Sequence, residues 1–502
     1  MIDRRPASAA KARRAASGAA WIAAEMITVQ GASLLVFAVM ARFIGPAEFG
    51  VVSICVVVLQ ASKSLLIDNF AYAVIRKSEA DRVEYTTAFW MTAAISLLAF
   101  LAIEAGADLL QRVFAIADLA GAMRKMGVVT LIMGLARTHE CWMFRHFHFR
   151  SLAIRSIAGA AIGGAVGIAL AAFGYGIEAL IVQQIVTFTA SLIALWSICP
   201  WRPDFTVSKL AAVEILRFVA QTTPGAVIGV LNQNCDTILV AYFFGPASTG
   251  LYSVGKRLRL AMQLVASAPI NGIALPTLAD AQNDPERLKR VLSYAICVVC
   301  AVCAPLFLGV SAVAGDAISI LFGARWVAAA TTLEWLSVGG LMAVLLTYND
   351  TVFVVRGRPI WIFYISSVYT ALAIVGFVIF SRLGTFYLAA PFVIPYFATL
   401  PISVWLCCRL TRLTFGEWLL RVGPAFASAI AMFVVIRLLS GFLGGMGAVA
   451  RLAILCPTGV AVYVAMLAAL DWVTIKSIAD IIRDILRRAM RPAGIPSGPG
   501  SD

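Results

Sequence analysis

Charged side chains are scarce in this sequence. Asp, Glu, Lys and Arg make up only 13% of its 502 residues, whereas an ordinary soluble domain contains about 25%. No segment is polar enough to form a large soluble catalytic domain. The composition also excludes a collagen-like chain, a coiled coil and a secreted disulfide scaffold.

Apolar residues dominate instead. They account for 61% of the chain, and the mean hydropathy is +0.91. Because a membrane-spanning helix needs about 20 apolar residues, the apolar runs predict an all-α polytopic membrane protein of about fourteen transmembrane helices. The first run is long and others follow it, which favours a retained span over a cleaved signal peptide. The predicted spans cover residues 19–41, 50–73, 86–106, 120–143, 152–173, 176–199, 211–243, 249–279, 291–314, 327–354, 360–381, 384–408, 418–440 and 447–470.

Positive charge is distributed unevenly between the loops. The net charge is +14, and with the N-terminus placed inside, the loops predicted to be cytoplasmic hold 28 of the 40 Lys and Arg residues. Cytoplasmic loops of membrane proteins are enriched in these residues, so the excess predicts two cytoplasmic termini and does not indicate nucleic-acid binding. Over residues 472–490, isoleucines at helical spacing oppose basic residues, which predicts a helix lying on the inner leaflet.

A segment of thirteen residues recurs at an offset of 200. Residues 41–53 read ARFIGPAEFGVVS and residues 241–253 read AYFFGPASTGLYS, with seven identities, among them Gly45/Gly245, Gly50/Gly250 and Ser53/Ser253. Each copy lies between two apolar runs and is predicted to form a tight outside hairpin. We expect Gly45 to end a helix in a left-handed conformation, Pro46 to prevent its continuation, and Gly50 to let the next helix start close by.

The repeat predicts how the spans are organised. Six spans separate the two copies, so both face the same way and the repeat is parallel, about an axis along the membrane normal. We therefore expect two six-helix lobes, related by a pseudo-two-fold axis across a central cleft, plus two extra C-terminal helices. The predicted parts are a cytoplasmic tail (1–18), an N-lobe (19–205), a C-lobe (206–412), spans thirteen and fourteen (413–470), and an amphipathic helix with a disordered tail (471–502).

Several motifs around the repeat carry a family resemblance. They are FIGPAEFG at 43–50, NCDTIL at 234–239, FFGPASTGLYS at 243–253, ALPTLAD at 274–280 and DPERL at 284–288. Together they resemble polysaccharide flippases of the multidrug/oligosaccharidyl-lipid/polysaccharide (MOP) exporter superfamily over spans one to twelve. The resemblance implies that an undecaprenyl-diphosphate-linked oligosaccharide moves from the cytoplasmic to the periplasmic leaflet of a bacterial inner membrane, by alternating access. It also implies membrane lipids and polysaccharide polymerase machinery as partners.

Three other functions stay open on the sequence. A lipid II flippase also uses basic residues in its cleft, whereas a drug/cation antiporter of the same superfamily favours an acid-lined cleft. A polytopic glycosyltransferase or polymerase needs a large outside loop, and the outside loops here are short. We therefore predict a transporter and not an enzyme, acting as a monomer without a cofactor.

Charges within the spans are the candidate binding residues, since a charge at membrane depth costs about 2.5–3.5 kcal/mol. A cluster of Lys256, Arg257 and Arg259 lies one turn into span eight and suits a lipid diphosphate. The helical spacing places Lys256 and Arg259 on one face and Arg257 elsewhere; the alternative is that these side chains snorkel to the interface. Lys63 is predicted to face the cavity or to pair with an acid such as Glu25.

Acids and amides in spans one and seven are the remaining candidate binding residues. Glu25 and Asp236 are expected to pair with cavity bases or to bind a coupling ion. Asn232 and Asn234 are expected to bind sugar hydroxyls, or else to form hydrogen bonds between helices.

Two further patterns are interpreted as packing. The run Cys297, Cys300, Cys303 has no nearby His or acid, so no metal site is predicted. Gly159, Gly163 and Gly167 recur every four residues, which permits a close helix–helix contact.

Overall fold

The structure is a computed structural model, and it is helical throughout the residues that it describes. These are residues 5–75, 81–280, 284–381, 383–384, 388–472 and 476. No strand is present among them. The predicted all-α fold is thereby confirmed.

Fifteen α-helices follow one another in the described part of the chain. A five-residue π-helical turn, Lys63–Ile67, joins α2 to α3, and a short 3₁₀ turn, Ala324–Trp326, precedes α11. The helices are α1 (Arg5–Met40), α2 (Pro46–Ser62), α3 (Asp68–Ile75), α4 (Arg82–Phe114), α5 (Leu119–Arg145), α6 (Phe149–Ala172), α7 (Ile177–Ile198), α8 (Lys209–Asp280), α9 (Pro285–Ala312), α10 (Ala314–Phe322), α11 (Ala329–Val355), α12 (Ile360–Phe380), α13 (Ala390–Thr411), α14 (Phe415–Phe442) and α15 (Ala448–Leu470).

Twelve helical segments of the described chain are long and apolar enough to cross a membrane. One of them, Lys209–Leu264, has 56 residues. At 1.5 Å per residue it would be about 84 Å long, far more than the roughly 30 Å hydrocarbon core. The helix breaks at Gly245, where φ is 76°, so this segment contains predicted span seven and the first part of span eight, which α8 completes. The shorter apolar helix Ala24–Met40 corresponds to span one.

The chain termini bear on two further predictions. Helix α1 begins at Arg5, so residues 5–18 of the predicted cytoplasmic tail continue the first span as a helix. The amphipathic helix and tail predicted beyond Trp472 lie outside the described residues, apart from residue 476.

The chain divides into two compact units. The first comprises residues 1–265, 318–336 and 366–397, and the second comprises residues 266–317, 337–365 and 398–502. The first unit contains both copies of the repeat. The division into an N-lobe and a C-lobe therefore stays a prediction.

Glycines hold α6 against α7 in the first unit. A Cβ atom on Gly159 would lie 2.0 Å from Oγ of Ser191, and one on Gly163 would lie 1.9 Å from Oγ1 of Thr187. At each position the Cβ atom would also lie 2.8 Å from a backbone atom of Thr187, so a larger residue would force the two helices apart. The close contact predicted from the four-residue spacing is confirmed.

Helices α9, α14 and α15 pack together in the second unit. The Tyr463 hydroxyl of α15 donates a 2.8 Å hydrogen bond to the carbonyl of Ala301 in α9. The three cysteines Cys297, Cys300 and Cys303 are buried in α9 as free thiols. No group of three or more metal-ligating side chains occurs within the described ranges.

The two copies of the repeat contact each other directly. A Cβ atom on Gly50 would lie 1.8 Å from the carbonyl oxygen of Pro246, and a Cβ atom on Gly250 would lie 1.9 Å from that of Pro46. Three residues further on, the Ser253 hydroxyl donates to the Ser53 hydroxyl over 2.8 Å. Residue 50 thus contacts residue 246, and its counterpart, residue 250, contacts residue 46. A local two-fold axis produces reciprocal contacts of this kind.

The glycines of the two hairpins differ in part from the roles predicted for them. Gly45 has an extended backbone (φ −84°, ψ 166°) and is the N-cap of α2, so the expected left-handed conformation is wrong for this copy. Gly245 does have a positive φ. Gly50 and Gly250 allow two backbones to approach, which requires the absence of a Cβ atom.

Substituting a seam glycine should separate the hairpins. We expect Gly50→Ala or Gly250→Ala to lower stability by about 1–3 kcal/mol, as overpacking does, because the new methyl group meets a backbone carbonyl. Thermal unfolding in detergent measures this loss. In the same variants, a disulfide engineered by Ser53→Cys and Ser253→Cys should form more slowly than it does with both glycines present.

Gly31→Ala is the matched control. Gly31 is also a helical glycine, but a Cβ atom there would meet no atom within 4 Å. Equal destabilisation by Gly31→Ala and Gly50→Ala would contradict the close-approach explanation.

Candidate functional site

A cavity of about 230 Å³ lies in the first unit, beside the contact between the hairpins. Ser53 and Ser253 belong to its wall, so the hairpin contact borders the cavity. Helices α1, α2, α7 and α8 contribute the other side chains. The lining residues are Ser33, Val36, Phe37, Met40, Phe49, Val52, Ser53, Val56, Val57, Leu180, Gln183, Gln184, Asn234, Thr237, Ser253, Lys256, Arg257 and Leu260.

One stripe of α8 faces this cavity. Ser253, Lys256, Arg257 and Leu260 lie at positions i, i+3, i+4 and i+7, which is one helical face. The cavity is therefore lined by Lys256 together with Arg257. Arg259, which the helical spacing placed on one face with Lys256, is not part of this wall. The role of all three basic residues toward the substrate stays a prediction.

Lys256 is bound to a buried carboxylate. Its Nζ lies 2.7 Å from Oδ1 of Asp236, and it also donates to the Gln233 carbonyl (2.9 Å) and to the Thr237 hydroxyl (3.0 Å). The Asp236 side chain is 1% exposed and the Lys256 side chain is 17% exposed. Tyr252 donates its hydroxyl to the other carboxylate oxygen over 3.0 Å. Lys256 thus lines the cavity, and Asp236 holds its ammonium from behind the wall.

Arg257 has no such counter-ion among the residues that the structure describes. Its Nη1 donates to the Ser33 hydroxyl of α1 over 3.2 Å, and its guanidinium carbon lies 4.5 Å from the centre of the Phe37 ring. No carboxylate in the described part of the chain forms an ion pair with it. A guanidinium has five N–H donors, so Arg257 retains donors for a ligand in the cavity.

The other basic residue of the cluster, Arg259, lies off the cavity. Its Nη1 donates to the Gln263 side chain over 3.1 Å. Of the two asparagines, Asn234 lines the cavity, while Asn232 accepts a 2.6 Å hydrogen bond from Thr370 of α12. Their assignment to the substrate stays a prediction.

Lys63 also lies outside this cavity. It begins the π-helical turn and pairs with Asp68 over 3.1 Å, rather than with Glu25. Asp68 in turn pairs with Arg137 (2.8 Å), and Glu140 bridges Arg137 to Arg155. These five side chains form a network of alternating charge with one net positive charge.

The Glu25 side chain makes no ion pair or hydrogen bond to the residues that the structure describes. The predicted pairing of Glu25 with a cavity base is therefore absent from this part of the chain. Its role with a coupling ion is untested and stays a prediction.

Sequence reasoning missed three polar groups of the site. Gln183 and Gln184 of α7 line the cavity, and Ser33 of α1 holds Arg257. Two adjacent glutamines in an otherwise apolar span were the available signal for α7. Nothing in the local pattern distinguishes Ser33, because its partner is 224 residues away.

The cavity favours an anion. The described residues of its lining include two cations and no carboxylate, and Asp236 behind the wall neutralises only Lys256. One positive charge is left beside serine, asparagine and glutamine side chains and an apolar surface. Such a wall suits a ligand that carries a phosphate, polar groups and hydrocarbon.

Comparison with known proteins gives a family and a fold. Residues 39–331 match the polysaccharide biosynthesis protein family. The chain is 23% identical over 296 residues to the succinoglycan biosynthesis transport protein ExoT of Rhizobium meliloti (strain 1021), a match over 59% of this chain and 60% of that protein. It therefore covers less than two thirds of this relative. The teichuronic acid biosynthesis protein TuaB of Bacillus subtilis (strain 168) is 22% identical over 425 residues, 84% of this chain and 87% of that protein.

Solved structures share the fold at low sequence identity. The structure described as "Lipid II flippase MurJ, inward closed conformation" has a TM-score of 0.70 and 14% sequence identity. The match covers 93% of this chain and 99% of the MurJ chain. An inward-facing multidrug resistance MATE family transporter of the MOP superfamily has a TM-score of 0.59 and 13% sequence identity. That match covers 76% of this chain and 95% of the transporter chain. The MOP-type fold expected from the motifs is confirmed.

The two halves of the buried ion pair should differ in their effect on stability. Lys256→Met leaves a nearly inaccessible carboxylate without its ammonium, and removing one partner of a buried pair costs about 3–5 kcal/mol. Asp236→Asn leaves an ammonium that the cavity can hydrate, so its cost should be smaller. Thermal unfolding of the purified variants gives the order.

The double variant Lys256→Met/Asp236→Asn is the control for this prediction. It removes both charges and should be more stable than Lys256→Met alone. Equal losses in the two single variants, with no recovery in the double variant, would contradict the assignment of a buried charge pair.

Proposed function

Because the chain belongs to the polysaccharide biosynthesis protein family, we propose that it flips a lipid-linked oligosaccharide across the bacterial inner membrane. The ligand is an undecaprenyl-diphosphate-linked oligosaccharide for surface or exported polysaccharide. It moves from the cytoplasmic to the periplasmic leaflet. The protein carries out transport and not chemical catalysis, and relatives named for succinoglycan transport and teichuronic acid biosynthesis support this assignment.

The observation that carries the proposal is the guanidinium of Arg257, which lines the cavity and has no carboxylate partner among the described residues. A buried cation is costly unless a counter-ion reaches it, and a diphosphate supplies one with bidentate geometry. Lys256 lies next to it, and Asn234, Gln183 and Gln184 offer hydrogen bonds to a sugar. Phosphate affinity and sugar contacts thus come from the same wall.

Alternating access fits the position of the hairpin contact. The seam of Gly50, Pro246, Gly250 and Pro46 lies one helical turn from the cavity-lining Ser53 and Ser253, on the side that the charge distribution predicts to be periplasmic. Separation of this seam would open the cavity to the periplasm. Two lobes that rock about the axis of the repeat, two cytoplasmic termini, a monomeric state and cooperation with polymerase machinery belong to the proposal.

The alternatives are less well supported. A drug/cation antiporter would need acids in the cavity wall, and the described wall has none. A lipid II flippase would use the same diphosphate chemistry, and the likeness to MurJ concerns the fold alone. The names of the relatives point to exported polysaccharides instead.

Complementation tests the proposed function. Deletion of the gene should abolish surface glycan and leave lipid-linked intermediates on the inner leaflet. Arg257→Ala should restore export poorly, with transport reduced at least about tenfold, because a hydrogen bond to a charged group is worth about 1.5–3 kcal/mol and about 1.4 kcal/mol is a factor of ten. Arg257→Lys should be intermediate, since it keeps the charge but loses the bidentate geometry.

Arg259→Ala is the matched control, at equal membrane levels. This residue belongs to the same basic cluster but donates to Gln263 outside the cavity, so export should fall much less. Normal glycan export in the deletion strain would overturn the proposed function. Equal defects in Arg257→Ala and Arg259→Ala would overturn the assignment of Arg257 as the anion ligand.

A further inference from the structure

The two members of the buried ion pair differ in their access to the cavity. The Asp236 carboxylate is 1% exposed and does not line the cavity, while the Lys256 ammonium does. Lysine has a flexible four-carbon chain, so its ammonium is able to move toward a ligand. The carboxylate is held in place, because Tyr252 and the Thr237 backbone N–H both donate to it, over 3.0 and 2.6 Å.

An anion bound at Arg257 would compete with Asp236 for this ammonium. Lys256 and Arg257 are neighbours on the cavity-facing stripe, so a diphosphate that reaches one guanidinium lies beside both cations. A diphosphate carries more negative charge than a single carboxylate, and the charge-assisted hydrogen bond that it offers is stronger than a neutral one. The ligand therefore draws Lys256 away from Asp236.

Resting on the proposed function, we propose that ligand binding exchanges the Lys256 ammonium from Asp236 to the diphosphate, and that Asp236 takes up one proton in its place. The proton comes from solvent and binds at Oδ1, the oxygen that Lys256 leaves. When the ligand departs, Lys256 returns and the proton is released. Each ligand-binding event is thereby linked to the uptake of one proton.

The proton is required by the burial of Asp236. A carboxylate that loses its ammonium in a nearly inaccessible site is strongly disfavoured relative to the neutral acid. A metal cation is a poor substitute there. The ammonium leaves three oxygen acceptors, from Gln233, Asp236 and Thr237, whereas hard cations such as Ca²⁺ take about six or more oxygen ligands.

Among the described residues, the groups around Asp236 supply no counter-ion other than Lys256. In the described part of the chain, the titratable groups that face it from its own helix are Cys235, Tyr252 and Lys256. Those from α12 and α13 are Tyr369 and Tyr396, and Arg259 faces Tyr252 and Tyr396. Of these, Lys256 alone forms an ion pair with the carboxylate.

Proton uptake is measured by titration calorimetry. Farnesyl diphosphate, a soluble prenyl diphosphate, is titrated into the full chain in lipid nanodiscs, in two buffers of different ionisation enthalpy. The pH is kept above about 7, where a second phosphate ionisation near 6 is nearly complete. Wild type should take up one more proton per bound ligand than Asp236→Asn. Its affinity should weaken about tenfold per pH unit as the pH rises, while that of Asp236→Asn should stay nearly constant.

Two further variants keep the test decisive. Lys256→Met removes the exchanging ammonium and should also abolish the extra proton uptake. Asp350→Asn alters another acid within a predicted span, one that does not line the cavity, and should behave as wild type. Thermal unfolding verifies that each variant is folded.

The outcomes separate the two proposals. Binding by wild type with no more proton uptake than Asp236→Asn overturns the exchange and leaves the proposed function intact. Affinity that follows sodium concentration and not pH likewise overturns it. Failure of folded wild type to bind farnesyl diphosphate overturns the anion site, and the exchange with it.

Discussion

The close approach of two hairpin backbones is the constraint on which the site depends. At Gly50 and Gly250 the chain meets the carbonyl oxygen of the opposite proline at a distance that no Cβ atom permits. This contact sets the spacing of the helices that continue from the hairpins. Ser53 and Ser253 join one helical turn below it, and the next turn of α8 carries Lys256 and Arg257. The cavity therefore begins about one helical turn beyond the backbone contact that Gly50 and Gly250 allow.

Packing around this seam fixes the cavity wall. Trp326 is fully buried and donates its indole N–H to the carbonyl of Ala41, over 2.8 Å. Its ring meets Phe37 and Phe49 edge to face, with centroid distances of 6.1 and 5.3 Å. Those two phenylalanines line the cavity, and Phe37 also lies under the Arg257 guanidinium. The hairpin, the aromatic cluster and the cation thus form one connected structure, in which Arg257 is held by a ring and a hydroxyl rather than by an acid.

Much of the fold follows from the sequence, and less of the site does. Apolar runs identify the helices because span length is a local property, and the repeat identifies the hairpins because Gly and Pro act locally. The cavity-facing direction of α8 depends on how neighbouring helices approach it, so periodicity alone grouped Lys256 with Arg259 and could not show that Arg257 shares the cavity wall with Lys256. The partner of Lys63 is Asp68, one turn further along a π-helical turn, which regular α-helical spacing does not predict. Tyr252 was overlooked because its hydroxyl reaches Asp236 across the break at Gly245.

The repeat explains why one wall can serve a ligand with two chemistries. Positions 37, 53, 56 and 57 all line the cavity, and so do their counterparts 237, 253, 256 and 257. The first copy supplies phenylalanine and valines at three of these positions, whereas the second supplies Thr237, Lys256 and Arg257. Geometry is therefore shared between the copies while polarity is not. A cavity built in this way presents hydrocarbon on one side and cations on the other. This suits the proposed ligand, which joins a prenyl chain to a diphosphate, better than it suits a uniformly polar or a uniformly apolar solute.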